Sequence, residues 1–164
     1  MLDWIIHHFR QLADYNSGAN IRLYDAYAVR SDAELQRDRK GSFNSIQGTL
    51  NQILVGGRIW MAQFTGGVAP VTDLVCELNV LRSARFTEDD QIREFIEGID
   101  ANRLEEKIVY VKNEGWSLKD TRYPLLAHFF NHQTHHRGQV HCMLSQAGVA
   151  TPILDIDRLS LIHI

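Results

Sequence analysis

The sequence predicts an all-α protein, an up-down four-helix bundle with a short β-hairpin excursion before the last helix. Four long stretches carry apolar residues at helical spacing, and glycine, proline or clustered polar residues separate them. Only one short stretch is rich in β-branched residues, so one hairpin is predicted. With 164 residues of which 45% are hydrophobic, the chain suits one domain with a real core. We assign residues 1–164 to that domain and expect 151–164 to be an irregular tail.

The first stretch predicts a long helix that reaches Ala26 or Tyr27. Asn16, Ser17 and Gly18 lie inside it and have low helix propensity, so a bend at this point is one alternative and simple tolerance is the other. Residues 31–41 are polar and charged, which predicts a loop with a short helical turn.

The second helix is predicted to follow an N-cap at Asn44 or Ser45 and to reach about Phe64. Its apolar stripe is clear, but Gly56 and Gly57 lie inside it, and two adjacent glycines within a helix need a structural reason. The run TGGVAP at 65–70 then breaks the helix.

A third helical region is predicted from about residue 73 to 98. Thr87 is followed by three acidic residues, as at a helix N-terminus, so a break or kink near Phe86 is expected. The run KIVYV at 107–111 predicts a strand, and WSLKDTRY after the turn residues NEG predicts its partner. The last helix is expected to begin near Pro124 and to stop at Gly148.

Composition excludes several classes of protein. The formal net charge of −3 gives no basic field for nucleic acid. Two distant cysteines form no CxxC motif, which argues against a disulfide framework or a thiolate zinc site and fits a reducing cytoplasm. The first residues lack the apolar core of a signal peptide, and no apolar run approaches a membrane span. We therefore expect a cytoplasmic protein without nucleic-acid or membrane partners.

The candidate site begins with the histidines of the last helix. Five of the eight histidines lie in HFFNHQTHHRGQVH at 128–141, and His128, His132 and His136 follow one another at intervals of four. On a helix this interval places side chains on nearly one face. An HxxxH pair can offer two neutral imidazoles to one metal ion, and zinc, nickel, iron and copper all accept such ligands.

Three segments resemble the DinB family, part of the wider DinB/YfiT-like set of metalloenzymes. They are YNSGANIRLYDA at 15–26, FNSIQGTLNQILVGGRIW at 43–60 and HFFNHQTHHRGQVHCMLSQAG at 128–148. The last segment is specific, and the order and spacing of the other two add weight. The resemblance implies an up-down four-helix bundle, commonly a homodimer, with a divalent ion held by three histidines. It also implies thiol-transferase or isomerase-like chemistry in some members.

Carried onto this chain, the family's metal ligands fall on His132, His136 and Gln52. The third ligand departs from the family pattern, because the run that usually reads TLNH reads TLNQ here. An amide oxygen is a weaker ligand than imidazole for Zn²⁺ or Ni²⁺. The family also often has Asp at the position of Gly57 and Trp at that of Gly18. These changes predict a larger cavity that holds its metal more weakly.

Two kinds of function remain open from the sequence. In the first, Zn²⁺ or Ni²⁺ binds His132 and His136, completed by Gln52, by water or, as the weaker alternative, by His128. The ion would then support hydrolysis or thiol transfer on a small molecule. In the second, the chain is a metal-free homodimeric module that binds a small ligand or has a purely structural role.

Overall fold

The computed structural model describes residues 3–28, 31–68, 74–111 and 115–157. These residues form six helices and one two-stranded sheet. In chain order they are α1 (Asp3–Tyr27), α2 (Asp32–Gln36), α3 (Ile46–Thr65), α4 (Leu78–Glu97), α5 (Ala101–Glu105), β1 (Lys107–Val111), β2 (Ser117–Thr121) and α6 (Arg122–Gln146). The predicted helical bundle with a hairpin before its last helix is confirmed.

The four long helices enclose an apolar cluster at each end of the bundle. One cluster joins the start of α1 and α6 to the end of α3 and α4, through side chains such as Phe9, Phe129, Phe64 and Ile96. The other joins the opposite helix ends. The helices therefore run up, down, down and up, and the connection from α3 to α4 joins opposite ends of the bundle. Asn51 of α3 holds the segment just before α4. Its side-chain nitrogen donates to the Val75 carbonyl, and its side-chain oxygen accepts from the Val75 backbone N–H.

A buried polar layer separates the two apolar clusters. The Asp89 carboxylate of α4 accepts hydrogen bonds from Asn16 (2.8 Å) and Asn20 (2.9 Å) of α1 and pairs with Arg85 (2.9 Å). The Arg85 guanidinium also donates to the Ile53 carbonyl of α3. One carboxylate thus ties α1 to α4, while its arginine partner reaches α3.

The long helices continue through both sites where the sequence raised a bend or a break. Helix α1 is unbroken through 16–18, where Asn16 and Ser17 are buried and Asn16 bonds within the polar layer. Helix α4 passes through Phe86 without a break, and the Thr87 hydroxyl donates to the Ser83 carbonyl in the preceding turn. The start of this helix expected at residue 73 lies outside the described residues, and α4 begins at Leu78.

Both ends of α3 agree with the sequence. The Ser45 side chain accepts a hydrogen bond from the backbone of Gly48, as an N-cap should. At the other end Gly66 adopts a left-handed conformation (φ 73°), for which glycine has no steric penalty.

The hairpin and the segments beside it connect α4 to α6. Strands β1 and β2 are antiparallel, with Lys107 opposite Thr121, and the turn at 112–114 lies outside the described residues. Helix α6 begins at Arg122, two residues before Pro124, because the Arg122 amide donates to the Glu106 carbonyl. The five-residue helix α5 was not predicted, and Asp100 caps it.

The tail is described as far as residue 157. The Leu154 carbonyl accepts a hydrogen bond from the Tyr15 hydroxyl (2.9 Å), so this part of the tail lies against α1. Residues 158–164 of the predicted tail lie outside the described part of the chain. No helix among the described ranges is long and apolar enough to cross a membrane.

Candidate metal site

Helix α6 brings the side chains of His132 and His136 together. Their Nε2 atoms lie 3.0 Å apart, and the two rings stand nearly perpendicular with centroids 4.4 Å apart. His136 is buried and His132 half-buried. The interval of four residues therefore produces a convergent imidazole pair, as the sequence indicated.

The neighbouring elements shape the space around this pair. A β-carbon added at Gly56 of α3 would lie 3.1 Å from Cε1 of His132, so the missing side chain leaves room for that ring. The ring of Phe43 packs edge-on against His136, with centroids 5.3 Å apart. One of the two unexplained glycines of α3 thus has a structural reason, which is the close approach of His132.

The two imidazoles differ in their outer hydrogen bonds. Nδ1 of His136 lies 2.8 Å from the side-chain oxygen of Gln139, one turn further along α6. Nδ1 of His132 is buried without a hydrogen-bond partner in the described part of the chain. The sequence did not identify Gln139 as this partner, although its i+3 spacing from His136 is typical of neighbours on one helix face.

Burial keeps both imidazoles neutral. Desolvation, reinforced by the neighbouring His136, His128 and His135, lowers the pKa of His132 to about 4. Burial also lowers the pKa of His136, although its hydrogen bond to Gln139 acts in the opposite direction. Neutral imidazole is the form that binds metal ions, so at neutral pH no proton has to be lost to free the pair as ligands.

The spacing of the pair fits a shared ion. Two nitrogens at about 2.0–2.1 Å from one zinc ion lie about 2.9–3.4 Å from each other at ordinary coordination angles. The observed 3.0 Å between the Nε2 atoms falls in this range. His132 and His136 therefore fit as two ligands of a divalent transition metal.

The described residues place no strong third ligand beside the pair. Within the described ranges no three His, Cys, Asp or Glu side chains converge to hold a metal ion. Gln52 is half-buried on α3, one turn before Gly56, and none of the described hydrogen bonds joins it to either histidine. His128 is exposed and packs near Trp60 (centroids 5.3 Å apart).

The second glycine of α3 belongs to the polar layer. A β-carbon at Gly57 would lie 3.1 Å from an Arg85 guanidinium nitrogen, so Gly57 makes room for a buried cation. Arg137, also buried, donates to the Asn16 side-chain oxygen and lies over the Tyr15 ring. Its role here is to link α6 to α1.

A separate cavity lies between α3 and α4. Its volume is about 340 Å³, and it is lined by apolar side chains that include Met61 and Phe95, with Arg58, Glu88 and Glu94 as charged groups. Neither histidine of the pair lines it. Burial raises the pKa of the Glu88 carboxyl, while Arg85 and Arg58 act in the opposite direction.

Comparisons with known proteins identify the family of this chain. The protein is similar to Protein DinB of Bacillus subtilis strain 168, with 25% identity over 158 residues that cover 88% of this chain and 89% of that protein. Its fold resembles the crystal structure of a DinB-like protein from Bacillus cereus ATCC 10987, with a TM-score of 0.63 at 14% identity, covering 83% of this chain and 90% of the other. The sequence profile of the DinB family matches residues 3–161. The chain therefore belongs to the DinB family.

Proposed function

We propose that this protein binds one divalent transition metal ion, Zn²⁺ or Ni²⁺, through His132 and His136. The observation that supports this most strongly is the 3.0 Å separation between the Nε2 atoms of half-buried His132 and buried His136. We further propose Gln52 as the third ligand. Its amide oxygen is a weaker donor than imidazole, so binding should be weaker than in a three-histidine site.

When bound, such an ion supplies a Lewis acid that lowers the pKa of a coordinated water or thiol and so makes a nucleophile at neutral pH. The protein's own groups prepare for this chemistry. Burial keeps both imidazoles unprotonated, the space at Gly56 admits the His132 ring, and Phe43 shields one side of His136. We propose hydrolysis or thiol transfer on a small molecule as the reaction class.

The proposed site can be tested by titrating the metal-free protein with Zn²⁺ in a calorimeter. We expect one ion bound per chain, and His132→Ala or His136→Ala should each abolish the heat of Zn²⁺ binding. His141→Ala is the matched control, because this histidine is on the same helix but five residues after His136 and away from the face of the pair. Equal binding by all four proteins would contradict the assignment.

One observation favours a second candidate function, that of a metal-free module for a small apolar ligand. The 340 Å³ cavity between α3 and α4 falls at the lower end of the range for ligand sites, about 300–1,000 Å³. In this alternative the protein is a homodimer, and the histidine pair is a remnant of the family's site.

The second candidate predicts a different set of results. Small apolar compounds should raise the melting temperature in the presence of a chelator. Ala62→Phe, which adds volume to the cavity wall, should remove that shift while leaving Zn²⁺ titration unchanged. Sedimentation at micromolar concentration should show a dimer, and a monomer would exclude the dimeric form of this alternative.

A further inference from the structure

The hydrogen bonds around the histidine pair indicate which ring nitrogens carry protons. The Gln139 amide lies between two histidines, with its oxygen 2.8 Å from Nδ1 of His136 and its nitrogen 3.3 Å from Nε2 of His135. An amide oxygen only accepts and an amide nitrogen only donates. With the amide in this orientation, His136 carries its proton on Nδ1 and His135 accepts at Nε2.

This assignment determines what His136 offers to its neighbour. A neutral imidazole with its proton on Nδ1 has a lone pair on Nε2. That atom faces Nε2 of His132 at 3.0 Å, so in the metal-free protein His132 donates to it. His136 already has the tautomer that a metal ligand needs.

His132 is in a different state. Its proton lies on Nε2, the atom that would bind the ion, and its Nδ1 has no partner among the described residues. Ligation by His132 requires this proton to move to Nδ1, beside the open space left by Gly56. In the metal-free protein, therefore, Nε2 of His136 has a lone pair for a metal ion, whereas Nε2 of His132 carries a proton.

We propose that Gln139 is a positioning residue that fixes the tautomer and ring orientation of His136, so that the Nε2 lone pair is ready for a metal ion. This inference rests on the proposed function, because it gives Gln139 a role toward the same ion. Outer partners of this kind typically change metal affinity by about 10–100-fold when they are removed.

The test compares Gln139→Met, which removes the acceptor, with Gln139→Glu, which keeps it. Gln146→Met is the matched control, because this glutamine is on the same helix and contacts Cys142 instead of a histidine. The first readout is the tautomer of His136 in metal-free protein, from long-range ¹H–¹⁵N NMR spectra. The second is the dissociation constant for Zn²⁺ alone.

We expect Gln139→Met to lose the pure Nδ1–H form of His136 and to bind Zn²⁺ about 10–100-fold more weakly. Gln139→Glu and Gln146→Met should keep the original tautomer, and Gln146→Met should keep the original affinity. An unchanged tautomer and affinity in Gln139→Met would overturn the role of Gln139 but would not contradict the proposed metal site. If the original protein binds no Zn²⁺, the proposed function and the metal role of Gln139 fail together, and the tautomer alone then shows whether the contact exists.

Discussion

The carboxylate of Asp89 should carry much of the stability of the bundle. It is buried in the polar layer, where it accepts from Asn16 and Asn20 and pairs with Arg85, whose side chain is fully buried. Asp89→Asn keeps the shape of the side chain but removes its charge. It removes the carboxylate that pairs with Arg85 at 2.9 Å, and the new amide nitrogen adds a donor where donors from Asn16 and Asn20 already converge.

The size of the effect follows from these contacts. Removing one partner of a buried ion pair typically costs about 3–5 kcal/mol, because the remaining charge stays buried without compensation. We expect Asp89→Asn to lower the free energy of unfolding by that amount. For a domain of this size the loss corresponds to a fall in melting temperature of roughly 6–20 °C.

The assay is urea unfolding followed by circular dichroism, with Asp90→Asn as the matched control. Asp90 is the next residue on α4, and it pairs with Arg93 at the surface, where both side chains are about half exposed or more. An exposed pair of this kind contributes about 0–1 kcal/mol, so the control should hardly change the midpoint. Equal midpoints for the two variants would refute the view that the polar layer holds the helices together.

Three further predictions concern other parts of the protein. Ser45→Ala removes the N-cap of α3 and should cost about 1 kcal/mol of unfolding free energy in the same urea assay; no loss would contradict the capping role. Gly56→Ala places a β-carbon 3.1 Å from the His132 ring, so calorimetry should show weaker Zn²⁺ binding with little change in stability, and unchanged binding would contradict the packing role of Gly56. The raised pKa of Glu88 means that the folded state holds this proton to a higher pH than the unfolded state. Stability should therefore fall as pH rises above the ordinary glutamate pKa of about 4.3, and Glu88→Gln should reduce that slope in urea midpoints measured from pH 4 to 7.

Much of the fold was predictable because its signals are local. The Ser45 cap, the break after α3 and the hairpin each depend on a few adjacent residues, and each lies where the sequence indicated. Local signals did not decide between a bend and simple tolerance at 16–18, and the break expected near Phe86 does not occur. Helix propensity describes an isolated segment, whereas Asn16 is held by a carboxylate from another helix.

The candidate site was predictable in part. The interval between His132 and His136 is enough to indicate a pair on one helix face. The sequence could not explain Gly56 and Gly57, because each accommodates a side chain from another helix. Gly56 makes room for the His132 ring and Gly57 for the Arg85 guanidinium. The same holds for Arg137, whose partner Asn16 lies 121 positions earlier in the chain.

The central claim is that His132 and His136 bind a divalent metal ion. The most direct measurement is metal content by elemental mass spectrometry, on protein purified without chelator or histidine tag and equilibrated with Zn²⁺, beside the Gln52→His variant. Our account predicts about one ion per chain in both proteins, held more tightly by the variant because imidazole is the stronger ligand. Metal only in the variant would show that this chain has lost the ion and would favour the apolar-ligand candidate. Metal in neither protein would contradict the histidine site itself.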